Sequence, residues 1–337
     1  MTSTVSAPLN AWYVAGTPEE VANGPLGRMI CGQAICFYLD STRQLRAVED
    51  FCPHRGAPLS LGTVNDGVLT CGYHGLQMGC EGNTVAMPGQ RVKKFPPNRI
   101  YPAAERGGYL WVWPGDASLA DLDSIPQPEW AGRTDWAFGG GMFHIQCDYR
   151  LLIDNLMDLT HETYVHATSI GQKEIDEAAP ATKFDGDQVA TVRHMENLKA
   201  PPFWQHAMRG NGLDPEHIVD RWQVCRFVAP SNVMIDVGVA LAGTGGIDAK
   251  VDDKASGIVV DYITPESPTS CWYFWGLARH FQPTDSALTH EIRTSQEKIF
   301  REDLQILERQ QKNLIANPNR NLLKLNIDAG GVHARRI

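Results

Sequence analysis

The chain has 337 residues, 43% hydrophobic and 20% charged, with a formal net charge of −9. That length implies about two domains and a core large enough to fold without a disulfide scaffold. The acidic balance argues against a nucleic-acid backbone binder, and no run reaches the roughly 20 apolar residues of a membrane span. The opening MTSTVSAPLNAWYVAG lacks a basic n-region and an apolar h-region, so no secretory signal is read and a cytoplasmic protein is expected. In that compartment the eight cysteines are expected to be buried thiols or metal ligands rather than disulfides.

Along the first third, QAICFYLD, QLRAVEDF, GVLTC and YLWVWP are short, apolar or alternating, and bounded by turn residues. They predict strands of a small β-domain over residues 1–115. Between them lie Cys52-Pro53-His54 and, after sixteen residues, Cys71-Gly72-Tyr73-His74. Each half offers one thiol and one imidazole from a Pro- and Gly-containing turn. Three readings compete. Two reduced cysteines and two histidines could coincide by chance. A tetrahedral zinc accepts Cys₂His₂, but its usual spacing puts the two cysteines together first. A Rieske [2Fe–2S] cluster needs two thiolates on one iron and two imidazoles on the other. Two loops that each give one ligand to each iron meet that need directly, and this reading is favoured.

The stretch PGDASLADLDSIPQPEW is rich in Pro, Gly and Asp, and residues 116–136 read as a linker. Residues 137–337 then form a second domain. YRLLIDNLMDLTHETYVH, Tyr149 to His166, lacks Gly and Pro and predicts a helix. It carries Asn155, Asp158, His161 and His166. On a regular helix, i and i+5 stand about 140° apart, so two histidines sharing a metal require a π-bulge or a helix end between them. One alternative is an amphipathic helix with an ordinary wet face. The other is two legs of a two-histidine, one-carboxylate iron site, with open positions for O₂.

Strands are predicted at Gln188–Met195, Trp222–Val228, Val233–Val239, Ile258–Ile263 and Ser270–Leu277, and KEIDEAAPATKFDGD reads as a loop. Ser286 to Ile315 has a long helical pattern. Asp303 falls in its apolar stripe, with Ile299, Phe300, Ile306 and Leu307 three or four residues away. A buried carboxylate must be paired or bound to metal, so Asp303 is chosen as the third ligand over the more exposed Glu302. A buried ion pair or hydrogen bond is the competing explanation. Helices packed on an antiparallel sheet make the class α+β. In Trp222–Val228, alternation places Arg226 with Trp222, Val224 and Val228. It is offered as an anchor for a substrate carboxylate, or as the partner of Asp236 or Asp261.

These motifs together resemble the Rieske non-haem iron aromatic oxygenases. The resemblance spans essentially the whole chain, including AVEDFCPHRGAPLSLG, CGYHGLQMGC, ITPES and NLLKLNIDAGGV. It implies an all-β Rieske domain followed by a helix-grip-like catalytic domain. Cys52 and Cys71 would bind one cluster iron, and His54 and His74 the other. His161, His166 and Asp303 would bind a mononuclear Fe(II), with Asn155 nearby. Asp158 would bridge His161 to the partner subunit's His74 in a homotrimer. The resemblance further implies NADH electrons delivered by a separate reductase, and O₂ as co-substrate. The implied substrate is an aromatic acid such as vanillate (3-methoxy-4-hydroxybenzoate), demethylated to protocatechuate and formaldehyde. Another methoxylated or unmethoxylated acid, or ring dihydroxylation, would use the same metals. No GxGxxG fingerprint is present, so NADH binding to this chain itself is not expected. A Rieske electron carrier would need only the first third of the chain.

Overall fold

The fold was analysed in a computed structural model, which describes residues 5–92, 95–167, 175 and 178–337. The chain divides into two units. The first is Met1–Ala131 with Thr264–Pro268, and the second is Gly132–Ile263 with Thr269–Ile337.

The first unit is built from short antiparallel strands in three sheets. One joins Tyr13–Gly16, Tyr109–Val112 and Ala103–Arg106. A second orders Leu26–Ile30, Gln33–Leu39, Leu45–Glu49 and Ile100–Tyr101. The third is a small meander of Thr63–Asn65, Val68–Thr70, Gln77–Met78 and Thr84–Ala86. Apolar alternation here is interrupted every few residues by turns, which favours short strands over helices. Cys36, Tyr38, Val48, Leu59, Leu69, Leu76 and Met78 bury one another in a core that also contains Cys52 and Cys71. The stretch expected to be a linker is largely ordered within this unit. Asp116 and Asp121 cap two 3₁₀ turns by accepting the Ser118 and Asp123 N–H groups. Trp12 and Trp113 donate their indole N–H groups to the carbonyls of Asp121 and Asp116.

The second unit carries a seven-stranded antiparallel sheet. Its order is Ala137–Ile145, Ser270–Arg279, Lys254–Ser267, Asn232–Leu241, Ile218–Val228, Gln188–Lys199 and Ala181–Asp185. Both outer strands escaped the sequence reading. Ala137–Ile145 carries three glycines, and Ala181–Asp185 is a mostly exposed edge strand inside the segment read as a loop. Lys173, Glu174, Asp176 and Glu177 of that segment lie outside the described residues. The helix Ser286–Ala316 buries Leu288, Ile292, Phe300, Asp303, Leu307 and Gln311. One face of the sheet packs on this helix and on a further helix, Pro202–Gly210, through Val219, Val239, Ala255, Leu277, Trp204 and Ile292. The opposite face has its own apolar cluster, with Trp222 and Val224 covered by Ile247 and Ala249.

Tyr149 to His166 is not one helix. It is helical over Tyr149–Leu156 and again over Glu162–Val165. The break has a local cause. The Asp158 carboxylate accepts both the Thr160 N–H and the Thr160 hydroxyl at 2.7 Å, and this side-chain turn competes with helical hydrogen bonding. Among the described residues no helix is long and apolar enough to cross a membrane.

Candidate metal centres

The two Cys/His loops of the first unit are conformational twins. The Cys52 N–H donates to Ala57 O, and the Gly56 N–H donates to Cys52 O, both at 2.8 Å. Likewise the Cys71 N–H donates to Leu76 O, and the Gly75 N–H to Cys71 O. Gly56 and Gly75 both sit in the left-handed region, at φ 69° and 73°, where a side chain is strained. Each loop thus points its cysteine inward and its histidine outward. Both cysteines are buried, while His54 and His74 are exposed with ring centroids 4.6 Å apart. Burial pushes the Cys52 thiol up. The adjacent Cys71 thiol adds to this, although the backbone N–H groups of His54 and Arg55 oppose it. A positive metal reverses that penalty, because a coordinating thiol is deprotonated outright. A buried thiol pair and an exposed imidazole pair fit the two-thiolate, two-imidazole ligand set that a Rieske [2Fe–2S] cluster would need.

In the second unit, His161 and His166 are the N-cap and C-cap residues of the single turn Glu162–Val165, so each sits at an end of one short helix and no π-bulge lies between them. Their rings lie 5.2 Å apart, and both present Nε2 to one carboxylate. His161 Nε2 is 3.5 Å from Asp303 Oδ1, and His166 Nε2 is 3.2 Å from Asp303 Oδ2. The ligand atoms of the three residues fall within 4.8 Å of one another. The other ring nitrogens are held. His161 Nδ1 is 2.5 Å from the Asp158 carbonyl oxygen, which can only accept, so Nδ1 carries the proton. His166 Nδ1 is 2.8 Å from Glu302 Oε2. A metal-binding imidazole characteristically gives its second N–H to a carbonyl or carboxylate, which fixes the tautomer and leaves Nε2 for the metal. Asn155 donates Nδ2 to Asp303 Oδ1 at 3.1 Å, and its own Oδ1 is buried without a hydrogen-bond partner among the described residues. The donor set and this orphaned oxygen fit a cation held among His161, His166 and Asp303. Burial alone would depress His166, but the Asp303 hydrogen bond and the Asp303 and Glu302 charges outweigh it, and its pKa is raised.

A buried clamp ties this turn to the sheet. Arg193 Nη1 donates to Glu162 Oε2 at 2.7 Å and to Gln223 Oε1 at 3.1 Å. Arg193 Nη2 donates to Leu159 O, and Gln223 Nε2 donates to Glu162 Oε1. All three side chains are buried.

The structure bears out the Asp236 pairing offered for Arg226 and extends the sequence reading. Arg226 lies on the sheet face opposite Gln223, half exposed, with its guanidinium 3.7 Å from Asp236. It borders a surface cavity of about 770 Å³ with Trp222 and Val224, away from His161, His166 and Asp303. Glu302, set aside as exposed, holds His166. Glu162, Arg193 and Gln223 were not singled out. The one available signal was three charged or amide residues on segments otherwise read as buried. Asp158 reaches His161 through its carbonyl, while one carboxylate oxygen is engaged by Thr160.

Both halves of the chain match known protein families. Residues 11–96 match the Rieske [2Fe-2S] domain, and residues 145–337 match the vanillate O-demethylase oxygenase C-terminal domain. The chain is 64% identical over 330 residues to a vanillate O-demethylase oxygenase subunit from Pseudomonas sp., covering 98% of this chain and 93% of that one. It is 33% identical to the oxygenase component of dicamba O-demethylase from Stenotrophomonas maltophilia, covering 89% and 86%. A crystal structure of dicamba monooxygenase bound to 3,6-dichlorosalicylic acid superposes with a TM-score of 0.87 at 30% identity, covering 98% of this chain and 96% of that one. The chain belongs to the vanillate O-demethylase oxygenase family of Rieske non-haem iron oxygenases.

Proposed function

We propose that the protein is the oxygenase component of a vanillate O-demethylase. The observation that carries this reading is the conjunction, in one chain, of the twin Cys/His loops with a His161–His166–Asp303 group whose Nδ1 atoms are already engaged. The 64% identity to a vanillate O-demethylase subunit supplies the substrate. The reaction takes vanillate, O₂, NADH and one proton to protocatechuate, formaldehyde, NAD⁺ and water. Oxygen is inserted into a methyl C–H bond, and the resulting hemiacetal breaks its C–O bond to release formaldehyde.

Cys52, Cys71, His54 and His74 hold the cluster, and His161, His166 and Asp303 hold Fe(II). When bound, the cluster supplies single electrons and the Fe(II) centre supplies O₂ chemistry. The chain's own residues set the geometry. The Asp158 carbonyl and the Glu302 carboxylate orient the two imidazoles. Asn155 Nδ2 steadies Asp303, and the Glu162–Arg193–Gln223 clamp holds the His161–His166 turn. Electrons come from NADH through a separate reductase. The exposed His54 and His74, with Phe51, Leu61 and Tyr73 exposed on neighbouring positions, support a contact between copies of this chain around the cluster. The working assembly is a homotrimer in which Asp158 links His161, held by its carbonyl, to the partner subunit's His74, reached by its carboxylate. The eight cysteines, none of them in a disulfide, agree with a cytoplasmic setting.

The test is O₂ uptake with formaldehyde quantification, using metal-loaded protein, a matching reductase and NADH. Formaldehyde should appear in step with O₂ for vanillate and be absent with 4-hydroxybenzoate. A fully metallated, reducible protein that yields no formaldehyde from vanillate would remove the substrate assignment.

A further inference from the structure

Asp261 is fully buried, and among the described residues no charge pair accounts for it. Strand alternation puts it on the inner face of the sheet with Val259, which belongs to the core beneath the long helix. On the neighbouring strand Tyr273 Oη donates to Asp261 Oδ1 at 2.6 Å. Tyr273 and Trp275 both pack edge-on against Phe300, with centroids 5.4 and 5.3 Å away. Phe300 is one helical turn from Asp303. Asp261 Oδ2 and Trp275 Nε1 are both buried without a hydrogen-bond partner among the described residues.

Native proteins leave few buried polar atoms unsatisfied, and each calls for an explanation. Folding does not supply one, because an apolar pair of similar volume would be about as stable as this Asp–Tyr pair. The Asp303 charge and the Phe300 ring tie this pair to the carboxylate that, on the demethylase reading, faces the substrate, and the missing partner is then a polar group of the ligand. A ligand carboxylate is a poor match for a carboxyl that already feels the Asp303 charge. A hydroxyl is a good match, since it can donate or accept. Burial, opposed by the Tyr273 hydrogen bond and reinforced by Asp303, raises Asp261 to about 7, so it pairs with a hydroxyl in either protonation state.

Resting on the demethylase reading, we propose that Asp261 Oδ2 hydrogen-bonds the ring hydroxyl of the aromatic substrate and selects 4-hydroxylated acids, with Tyr273 as its positioning residue.

The experiment is anaerobic titration calorimetry of the cluster- and iron-loaded enzyme with vanillate, 3-methoxybenzoate and 3,4-dimethoxybenzoate, alongside the formaldehyde assay. Wild type should bind vanillate at least about tenfold more tightly than the other two, as expected for a site built around a ligand hydroxyl. The double variant Asp261→Leu/Tyr273→Phe removes both members of the pair and orphans neither, and should reduce that preference to within about twofold while retaining 3-methoxybenzoate. Should the double variant fail to fold, Asp261→Asn preserves shape, and a preference reduced about threefold or more supports the assignment. An unchanged preference in whichever variant folds overturns the Asp261 assignment and leaves the demethylase reading intact. Absence of formaldehyde from vanillate in the wild type removes both. A wild type that demethylates vanillate but shows no preference for the hydroxyl removes the Asp261 assignment alone.

Discussion

Replacing Arg193 with Met tests whether the clamp under the iron turn works by charge compensation. Arg193 and Glu162 are 2% and 6% exposed, so each charge depends on the other rather than on water. Removing only the arginine leaves Glu162 buried, with Gln223 Nε2 as its remaining side-chain donor among the described residues. Breaking a buried pair in this way costs about 3–5 kcal/mol. The lost bonds to Leu159 O and Ala178 O add about 1 kcal/mol each. Against a typical stability of about 5–15 kcal/mol, that is a large fraction. The double variant Arg193→Met/Glu162→Leu removes both charges and should be milder than the single one, because no unpaired charge remains. Urea unfolding followed by far-UV circular dichroism, with iron content measured on the same samples, checks this. A double variant at least as destabilised as the sum of the two single variants would refute the charge-compensation argument.

Four further outcomes follow from the site geometry. Glu302→Gln should weaken mononuclear iron binding about 10–100-fold while sparing the cluster, whereas Asp303→Ala should abolish it; metal analysis beside the visible spectrum separates the two. Iron loading should weaken as pH falls, because His166 must give up its proton and its pKa is raised above the ordinary 6.5. The loss should begin above that value, approach about tenfold per pH unit below the raised pKa, and shift to lower pH in Glu302→Gln; an unmoved midpoint contradicts the assigned cause. Gly56→Ala places a Cβ about 2.8 Å from Phe51 Cε2 at a φ of 69°, so cluster content per chain should fall while the second unit still binds iron. Arg226→Met should leave kcat/KM for vanillate within about twofold, since Arg226 lies on the far face of the sheet; a tenfold loss would restore it as a substrate contact.

What the sequence disclosed, and what it did not, follows from the range over which each interaction acts. The Cys/His loops were legible because each is closed by hydrogen bonds within six residues, so spacing alone carries the geometry. His161, His166 and Asp303 were legible for a different reason. An acid in an apolar helical stripe needs a partner, and two imidazoles without a regular helical phase needed a helix end. The rest depended on contacts between distant segments. Glu302 is adjacent to Asp303, and helical phase alone turns it away from the core. Its carboxylate nevertheless returns to His166, 136 residues earlier, which no periodicity encodes. For Arg226 the sequence left two partners open, a substrate carboxylate or a protein acid, because both faces of the sheet are covered; the structure places it 3.7 Å from Asp236. Alternation told that Trp222, Val224 and Arg226 share a face, yet the apolar cluster formed with Ile247 and Ala249 makes that face look like a core. Period-two patterning identifies companions, not direction. Direction came from Gln223, whose amide meets Glu162, and from Asp261 and Tyr273, whose rows face the helix bearing Asp303. Where two layers enclose a sheet, the polar residues with buried partners locate the reactive face better than the apolar ones do.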